Sequence, residues 1–86
     1  MSAILTCGAH GRQPATLVCR HIVETVADGE PRGFFWNVVD GSYEAICAAC
    51  NALSQDEFAD SAEDNVRELC FGCFRDAAAI NGVHLE

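Results

Sequence analysis

Lysine is absent from this chain of 86 residues, and the five basic side chains, all arginines, face 13 acidic ones. Without lysine, no side-chain amine is present for Schiff-base or lysine general-base chemistry. The net charge of −8 disfavours nucleic acid as a partner, because proteins that bind DNA or RNA gain most of their affinity by neutralising phosphates with cationic side chains. A basic protein is the kind of partner that this charge favours.

Export and membrane features are also missing. Residues 1–5 have neither the basic start nor the apolar stretch of a signal peptide. No segment reaches the roughly 20 apolar residues that span a bilayer. We therefore expect a cytoplasmic protein without membrane association, in a reducing compartment where thiols stay reduced or bind metal.

Residues 1–84 are predicted to form a single zinc-binding domain. Leu85 and Glu86 match the dipeptide that a common cloning site leaves before a C-terminal purification tag, so we assign them no function. A chain of this length buries only about 60–65% of the surface that its unfolded form exposes. A thin core of this kind needs an added cross-link, from disulfides or from metal.

The chain does contain cross-linking residues, because all six cysteines and two of the three histidines fall into short-spaced pairs. The pairs are Cys7-x-x-His10, Cys19-x-His21, Cys47-x-x-Cys50 and Cys70-x-x-Cys73. A gap of two residues lets both donor atoms reach one ion about 2.3 Å away. Eight ligands close two tetrahedral sites, so the sequence predicts two Zn²⁺ ions per chain.

Disulfides and iron–sulfur clusters are the competing interpretations of these pairs. Disulfides would leave the paired histidines unexplained, and they form in compartments that an exported protein reaches. The cysteine spacings differ from those of ferredoxins and suit a single tetrahedral ion better. Zinc is therefore favoured over both.

Sequential pairing is the preferred arrangement of the ligands, because it closes shorter loops. It places Cys47, Cys50, Cys70 and Cys73 in a four-cysteine site of the ribbon or treble-clef type. The other four ligands then form a two-cysteine, two-histidine site. An interleaved arrangement, in which the first pair joins the third and the second joins the fourth, uses the same ligands and stays open.

The first half of the chain predicts an antiparallel meander. Residues 15–26 are rich in β-branched side chains and read as a strand in which Cys19 and His21 leave the same face. Residues 34–39 form a second strand, Asp40-Gly41 a tight hairpin turn, and residues 43–46 a third strand. The predicted fold class is α+β: a three-stranded antiparallel β-meander with one or two short helices and two structural zinc sites.

The second half predicts helices. Ser54 and Glu57 fit a capping box, and apolar residues from Phe58 to Leu69 recur at helical spacing. Residues 66–69 can also be read as a short strand that leads into Cys70. Residues 74–80 predict a short helix that ends at Asn81-Gly82.

The ligand pairs give the chain a resemblance to an uncharacterised family of small bacterial zinc-binding proteins. The shared elements are Cys-x-x-His-Gly at residues 7–11, Val-Cys-x-His at residues 18–21 and the two later Cys-x-x-Cys pairs. The resemblance covers nearly the whole chain. It implies a zinc-ribbon or treble-clef-like fold and no substrate.

The function that we expect from these features is a non-enzymatic zinc domain that binds another protein, because eight ligands leave neither ion an open position. One candidate surface is a run of acids, for which a solvated helix face is the competing and favoured interpretation. The other is an aromatic pair, for which core packing is likewise favoured. The candidate partner-binding residues are Asp56, Glu57, Asp60, Glu63, Asp64, Phe35 and Trp36.

Two chemical functions are alternatives. Thiol redox exchange or zinc-linked redox sensing at the Cys-x-x-Cys pairs needs a cationic environment, for which Arg75 is the nearest candidate. Hydrolytic zinc needs one of the eight ligands to be spurious, with Asp28, Glu24 or Glu44 as base. The sequence contains no His-Glu-x-x-His pattern.

Overall fold

Strands and helices alternate along residues 4–85, the part of the chain that the computed structural model describes. The elements, in chain order, are β1 (Ile4–Cys7), β2 (Gly11–Cys19), α1 (Arg20–Asp28), β3 (Phe35–Val39), β4 (Ser42–Ile46), α2 (Ala48–Asn51), α3 (Gln55–Asn65), β5 (Val66–Cys70) and α4 (Phe71–Ile80). The α+β class predicted from the sequence is confirmed. These residues contain four helices rather than one or two.

The sheet forms around β2. This strand pairs antiparallel with β1 and β5 and parallel with β4, and β3 pairs antiparallel with β4 at the edge. The predicted three-stranded antiparallel meander is therefore wrong, and the sheet is mixed. The chain places β3 one position away from β2, and β4 then turns back into the gap between them.

The β3–β4 hairpin follows the prediction closely. Asp40 and Gly41 connect the strands, and both have a positive φ, of 51° and 79°. Two positive φ values give the turn a twist that matches the right-handed twist of the strands it joins. The Asp-Gly signal in the sequence is thus explained by backbone geometry.

The prediction of one strand over residues 15–26 is wrong in its second half. The strand ends at Cys19, and residues 20–28 form α1. Ile22 and Thr25, three residues apart, are fully buried on this helix, and Gly29 ends it with a φ of 74°. Burial of one helical face outweighs the strand preference of β-branched residues, which depends on context.

The second half of the chain contains the predicted capping box. The Ser54 side chain accepts a hydrogen bond from the Glu57 amide at 3.1 Å, and the Glu57 side chain accepts one from the Ser54 amide at 2.9 Å. The helix ends at Asn65, and residues 66–70 form β5. The alternative of a short strand leading into Cys70 is therefore confirmed over a longer helix.

The core lies between one face of the sheet, here called the inner face, and helices α1 and α4. Val18 and Ala45 face inward from β2 and β4, and both are buried. Phe74 of α4 is fully buried, and its ring centroid lies 5.0 Å from that of Phe34 in an edge-on arrangement. Trp36 stacks on Tyr43 at 5.8 Å. These contacts fix the sheet against two helices, each of which carries one candidate ligand, His21 on α1 and Cys73 on α4.

Residues 4–85 contain no helix with the length and apolar character needed to cross a bilayer.

Loss of the capping box should loosen α3. Ser54→Ala removes the acceptor for the Glu57 amide, and we expect it to destabilise the helix by about 1 kcal/mol, within a range of roughly 0.5 to 2. Amide hydrogen exchange along α3 measures this effect directly. The matched control is Ser61→Ala in the same helix, where the hydroxyl donates only to the Glu57 and Phe58 carbonyls of the helix itself. Equal exchange rates in the two variants would contradict the prediction.

Candidate metal centres

All eight predicted ligands come together, in two clusters of four. The hairpin cluster contains Cys7, His10, Cys70 and Cys73, and the buried cluster contains Cys19, His21, Cys47 and Cys50. Within each cluster the donor atoms lie within 4.8 Å of one another. All six cysteines are free, so no disulfide competes with this arrangement.

The pairing of the ligand pairs differs from both arrangements considered from the sequence. The first pair joins the fourth and the second joins the third, so one cluster is nested inside the other along the chain. The preferred sequential pairing is therefore wrong, and so is the interleaved one. Each cluster consists of three cysteines and one histidine, where four cysteines in one site and two cysteines with two histidines in the other were expected.

Strand pairing explains the nesting. In the antiparallel β2–β5 pair, Ala15 lies opposite Cys70, which brings the last ligand pair to the β1–β2 hairpin. In the parallel β2–β4 pair, Val18 lies opposite Ala45, so both strands run on together toward Cys19 and Cys47. The preference for sequential pairing assumes that shorter loops are easier to close. It fails here because strand pairing within the sheet, rather than closure of a flexible loop, brings the ligand pairs together.

The hairpin cluster combines a turn with a helix start. Cys7 and His10 flank the turn between β1 and β2, while Cys70 precedes α4 and accepts a hydrogen bond on its sulfur from the Cys73 amide at 3.3 Å. Nδ1 of His10 lies 3.4 Å from the sulfur of Cys7 and 3.5 Å from the sulfurs of Cys70 and Cys73. One ring nitrogen therefore faces three sulfurs at nearly equal distance.

The buried cluster forms where two helices begin. Cys19 precedes α1 and Cys47 precedes α2, and each has extended backbone angles. Nδ1 of His21 lies 3.5 Å from the sulfur of Cys47 and 3.4 Å from that of Cys50. The start of α1 also explains the Cys-x-His spacing, since His21 lies in the first helical turn and not on a strand face.

These distances fit a tetrahedral ion. A zinc ion bonded to sulfur at about 2.3 Å and to nitrogen at about 2.0 Å places two sulfurs about 3.8 Å apart and a sulfur and a nitrogen about 3.5 Å apart. The Cys7 and Cys73 sulfurs are 3.7 Å apart, and five of the six sulfur–nitrogen distances in the two clusters are 3.4 to 3.5 Å. Both donor sets are therefore compatible with a bound metal ion.

The thiols of the two clusters differ in pKa. Burial raises the pKa of the Cys19 thiol to about 12, and burial together with the neighbouring Cys70 raises the pKa of Cys73 to about 12. Hydrogen bonds from the Ala9 backbone and the His10 side chain lower the pKa of Cys7 to about 6. A metal must therefore displace protons from buried thiols, so its affinity falls as the pH falls.

Two supporting residues were missed by the sequence interpretation. Nε2 of His10 lies 3.2 Å from the Asp76 carboxylate, which favours a proton on Nε2 and leaves Nδ1 free to face the sulfurs. Asn65 is buried, donates to the Cys50 sulfur at 3.1 Å and accepts from the Arg20 amide at 3.2 Å. Both lie far from the cysteine pairs they support in the sequence, so spacing rules could not reveal them.

The predicted partner-binding residues lie away from both clusters. Asp56, Glu57, Asp60, Glu63 and Asp64 are exposed on α3. In the aromatic run, Phe34 is buried, Trp36 is half-buried against the core and Phe35 is 49% exposed. Phe35 is thus the ring of this run that is open to a partner.

No protein-family model matches the chain, and no curated protein and no solved structure matches it either. The resemblance to small bacterial zinc-binding proteins therefore rests on the motifs alone. What the structure adds is a small α+β fold with two cysteine and histidine clusters that can hold metal.

Substitution of Gly72 tests the predicted metal binding at the hairpin cluster. A Cβ atom at this position would lie 2.4 Å from Cγ and 2.9 Å from Cβ of His10, too close to be relieved by moving the tip of a side chain. We expect Gly72→Ala to displace the imidazole and to weaken metal binding at this cluster by about 10- to 100-fold, the range seen when the support of a ligand is lost. Competition with a chromophoric chelator measures the two affinities.

The matched control is Gly8→Ala, in the turn of the same cluster. A Cβ atom at Gly8 meets nothing within 4 Å, so both affinities should stay unchanged. Equal affinities in Gly72→Ala and Gly8→Ala would contradict the close approach of His10 to the α4 start.

Proposed function

We propose that this chain is a non-enzymatic zinc domain in which two Zn²⁺ ions, one in each cluster, hold the fold in the form that binds another protein. The observation that carries the proposal is that each cluster supplies four protein donors. A catalytic zinc site normally has three protein ligands and keeps one position for water or substrate. Four ligands leave no such position.

Zinc is favoured as the metal by the donor set. Three thiolates and one imidazole in a tetrahedral arrangement are typical of structural zinc, whereas Ca²⁺ and Mg²⁺ take oxygen ligands. Neither cluster includes a carboxylate. Distances between donors that suit a single ion also argue for a mononuclear site.

Two of the three carboxylates considered for a hydrolytic function, Asp28 and Glu24, support the same conclusion. Arg32 donates two hydrogen bonds to Asp28, at 2.7 and 3.0 Å, and lies 3.9 Å from Glu24. The bonds from Arg32 lower the pKa of Asp28 to about 2. A carboxylate engaged in this way is a poor general base, because a base needs a pKa near the working pH.

The partner in this proposal is a protein. Nucleic acid is disfavoured as a partner by the net negative charge of the chain. Six thiolates and two dications change the formal charge from −8 to about −10. The six free cysteines suit the reducing cytoplasm, where thiols are kept reduced.

Metal content and metal dependence test the proposal. Elemental analysis with native mass spectrometry should give two zinc ions per chain. Chelation should unfold the protein, because apparent zinc binding contributes about 10–16 kcal/mol and a small domain has a total stability of roughly 5–15 kcal/mol. Circular dichroism before and after chelation reports the change.

Cys47→Ser should lower the zinc content by about one ion, since serine is a poor ligand for zinc. The matched control is His84→Ala, which removes the exposed histidine outside both clusters and should leave two ions bound. A well-folded protein without metal, or a full zinc content in Cys47→Ser, would overturn the proposal.

Zinc-linked redox sensing is the second candidate, and a specific observation favours it. Cys7 and Cys73 of the hairpin cluster are half-buried, so a reagent or oxidant can reach their sulfurs. The cysteines of the buried cluster, in contrast, are at most 3% exposed. Any thiol chemistry should therefore begin at the hairpin cluster.

Alkylation kinetics separate the two candidates. In the zinc-loaded protein we expect slow alkylation overall, with Cys7 and Cys73 modified before Cys19, Cys47 and Cys50, because exposure controls access of the reagent. Peptide mapping by mass spectrometry gives the order. Complete alkylation of the hairpin cluster within the mixing time, with zinc release and retention of the fold, would favour redox sensing over a purely structural role.

A further inference from the structure

The face of the sheet opposite the core, here called the outer face, carries large apolar side chains. Leu17 of β2 is 39% exposed and Phe35 of β3 is 49% exposed. Ile46 of β4 lies directly opposite Phe35 in the strand register and is half-buried. Apolar residues therefore follow one another across three neighbouring strands on the side that α1 and α4 do not cover.

Ile46 lies where three shallow depressions of this face meet. The first, of about 130 Å³, reaches Leu17 and Phe58. The second, of about 370 Å³, reaches Phe35, and the third, of about 380 Å³, reaches Leu53 and Phe58. Leu53 is itself 39% exposed. A contiguous apolar area of this kind on a small domain typically marks an interaction site.

The charge on this face has one sign. In the strand register, Leu17 lies opposite Glu44 of β4 on one side and Glu68 of β5 on the other, so the apolar area contains or borders two carboxylates. The arginine of β5, Arg67, lies opposite the inward-facing Val18. No arginine occupies an outer-face position in the paired segments of β2, β3, β4 and β5.

We propose that the outer face, defined here by Leu17, Phe35, Ile46, Leu53 and Phe58, binds an amphipathic basic helix of a partner protein. This inference rests on the proposed function, since it identifies the surface through which the zinc domain would act. The three strands β2, β4 and β3 span about 10 Å from first to last, which is close to the diameter of one α-helix. The apolar side of such a helix contacts the face, and its lysines or arginines reach Glu44 and Glu68.

Charge argues for this occupant over a second copy of the chain. Two copies would bring together surfaces of the same sign, each on a chain with a net charge of −8. Like charges brought close together at an interface oppose association. A basic helix gains from the same field, which also speeds its encounter with the domain at low salt.

The test uses the zinc-loaded, ¹⁵N-labelled protein and a synthetic 18-residue leucine–lysine peptide designed as an amphipathic helix. Amide NMR should show the largest shifts at the five residues that define the outer face, and calorimetry should give a Kd that rises with salt. Two control peptides are included. One has the same composition in scrambled order, without an apolar side, and the other replaces every lysine by glutamate.

Variants locate the binding energy. Leu17→Thr combined with Phe35→Thr keeps residues that favour strands and removes two large apolar contacts, so the Kd should rise by about tenfold or more. The matched control is Val38→Thr, which changes a 45% exposed valine on the other face of the same edge strand. It should leave the Kd unchanged.

Charge variants test the second half of the proposal. Glu44→Gln together with Glu68→Gln should weaken binding and reduce its salt dependence. The control is Glu30→Gln, in the exposed loop between α1 and β3, which should do neither.

Several results would overturn the proposal. They are equal binding of the scrambled or the acidic peptide, shifts centred on α1 and α4, no shifts at all, and concentration-dependent shifts of the outer face without peptide, which would identify a second copy as the occupant. If two zinc ions are bound and the fold depends on them, any of these results removes the surface and leaves the zinc domain intact. Loss of the zinc stoichiometry itself would instead remove the proposed function.

Discussion

Convergence of four donor side chains on each of two points beside β2 is the constraint on which the rest of this structure depends. One cluster forms where the chain enters β2 through the β1 hairpin, and the other forms where it leaves β2 into α1. The second ligand pair of each cluster follows a strand that pairs with β2, since Cys70 is the last residue of β5 and Cys47 comes directly after β4. Metal bonds and sheet hydrogen bonds would therefore hold the same pairs of segments together.

This shared dependence explains how so small a chain can hold a mixed sheet. A parallel strand pair closes only after a long connection, and the entropy of that closure is a cost that local contacts do not repay. Here the parallel β2–β4 pair involves two residues on each strand. The buried cluster lies just beyond this strand pair. In the proposed metal-bound protein, its ligands would hold the two chain segments together where the strand hydrogen bonds end.

The two faces of the sheet have different roles. The inner face carries Val18 and Ala45 against Phe74 and the other buried residues of α1 and α4. The outer face carries Leu17 and Phe35, which stay partly exposed beside the residues of α2 and α3 that line its depressions. Because β-strands place successive side chains on opposite faces, the same strands can supply the core and a surface for a partner.

Much of this could be predicted from local sequence signals, since spacing of cysteines and histidines, an Asp-Gly turn and a Ser-x-x-Glu capping box each act within a few residues. Which ligand pairs share a cluster could not be predicted, because it depends on which strands pair. In the sheet, β4 lies between β2 and β3, although β3 comes first along the chain. The strand prediction for residues 20–26 is wrong because valine, isoleucine and threonine favour strands locally. In the structure these residues form a helix that buries Ile22 and Thr25 on one side. Asp76 and Asn65 support ligands from a distance that no spacing rule covers.

The nesting of the clusters has a consequence for how the protein is made. All four donors of the buried cluster have been synthesised once Cys50 is added, whereas the hairpin cluster is complete only with Cys73. Because synthesis proceeds from the N-terminus and local units assemble as they emerge, the inner set can come together before Cys70 and Cys73 have emerged from the ribosome. Vectorial synthesis thus makes the donors of the inner cluster available first, and those of the outer cluster only when the C-terminal ligand pair follows.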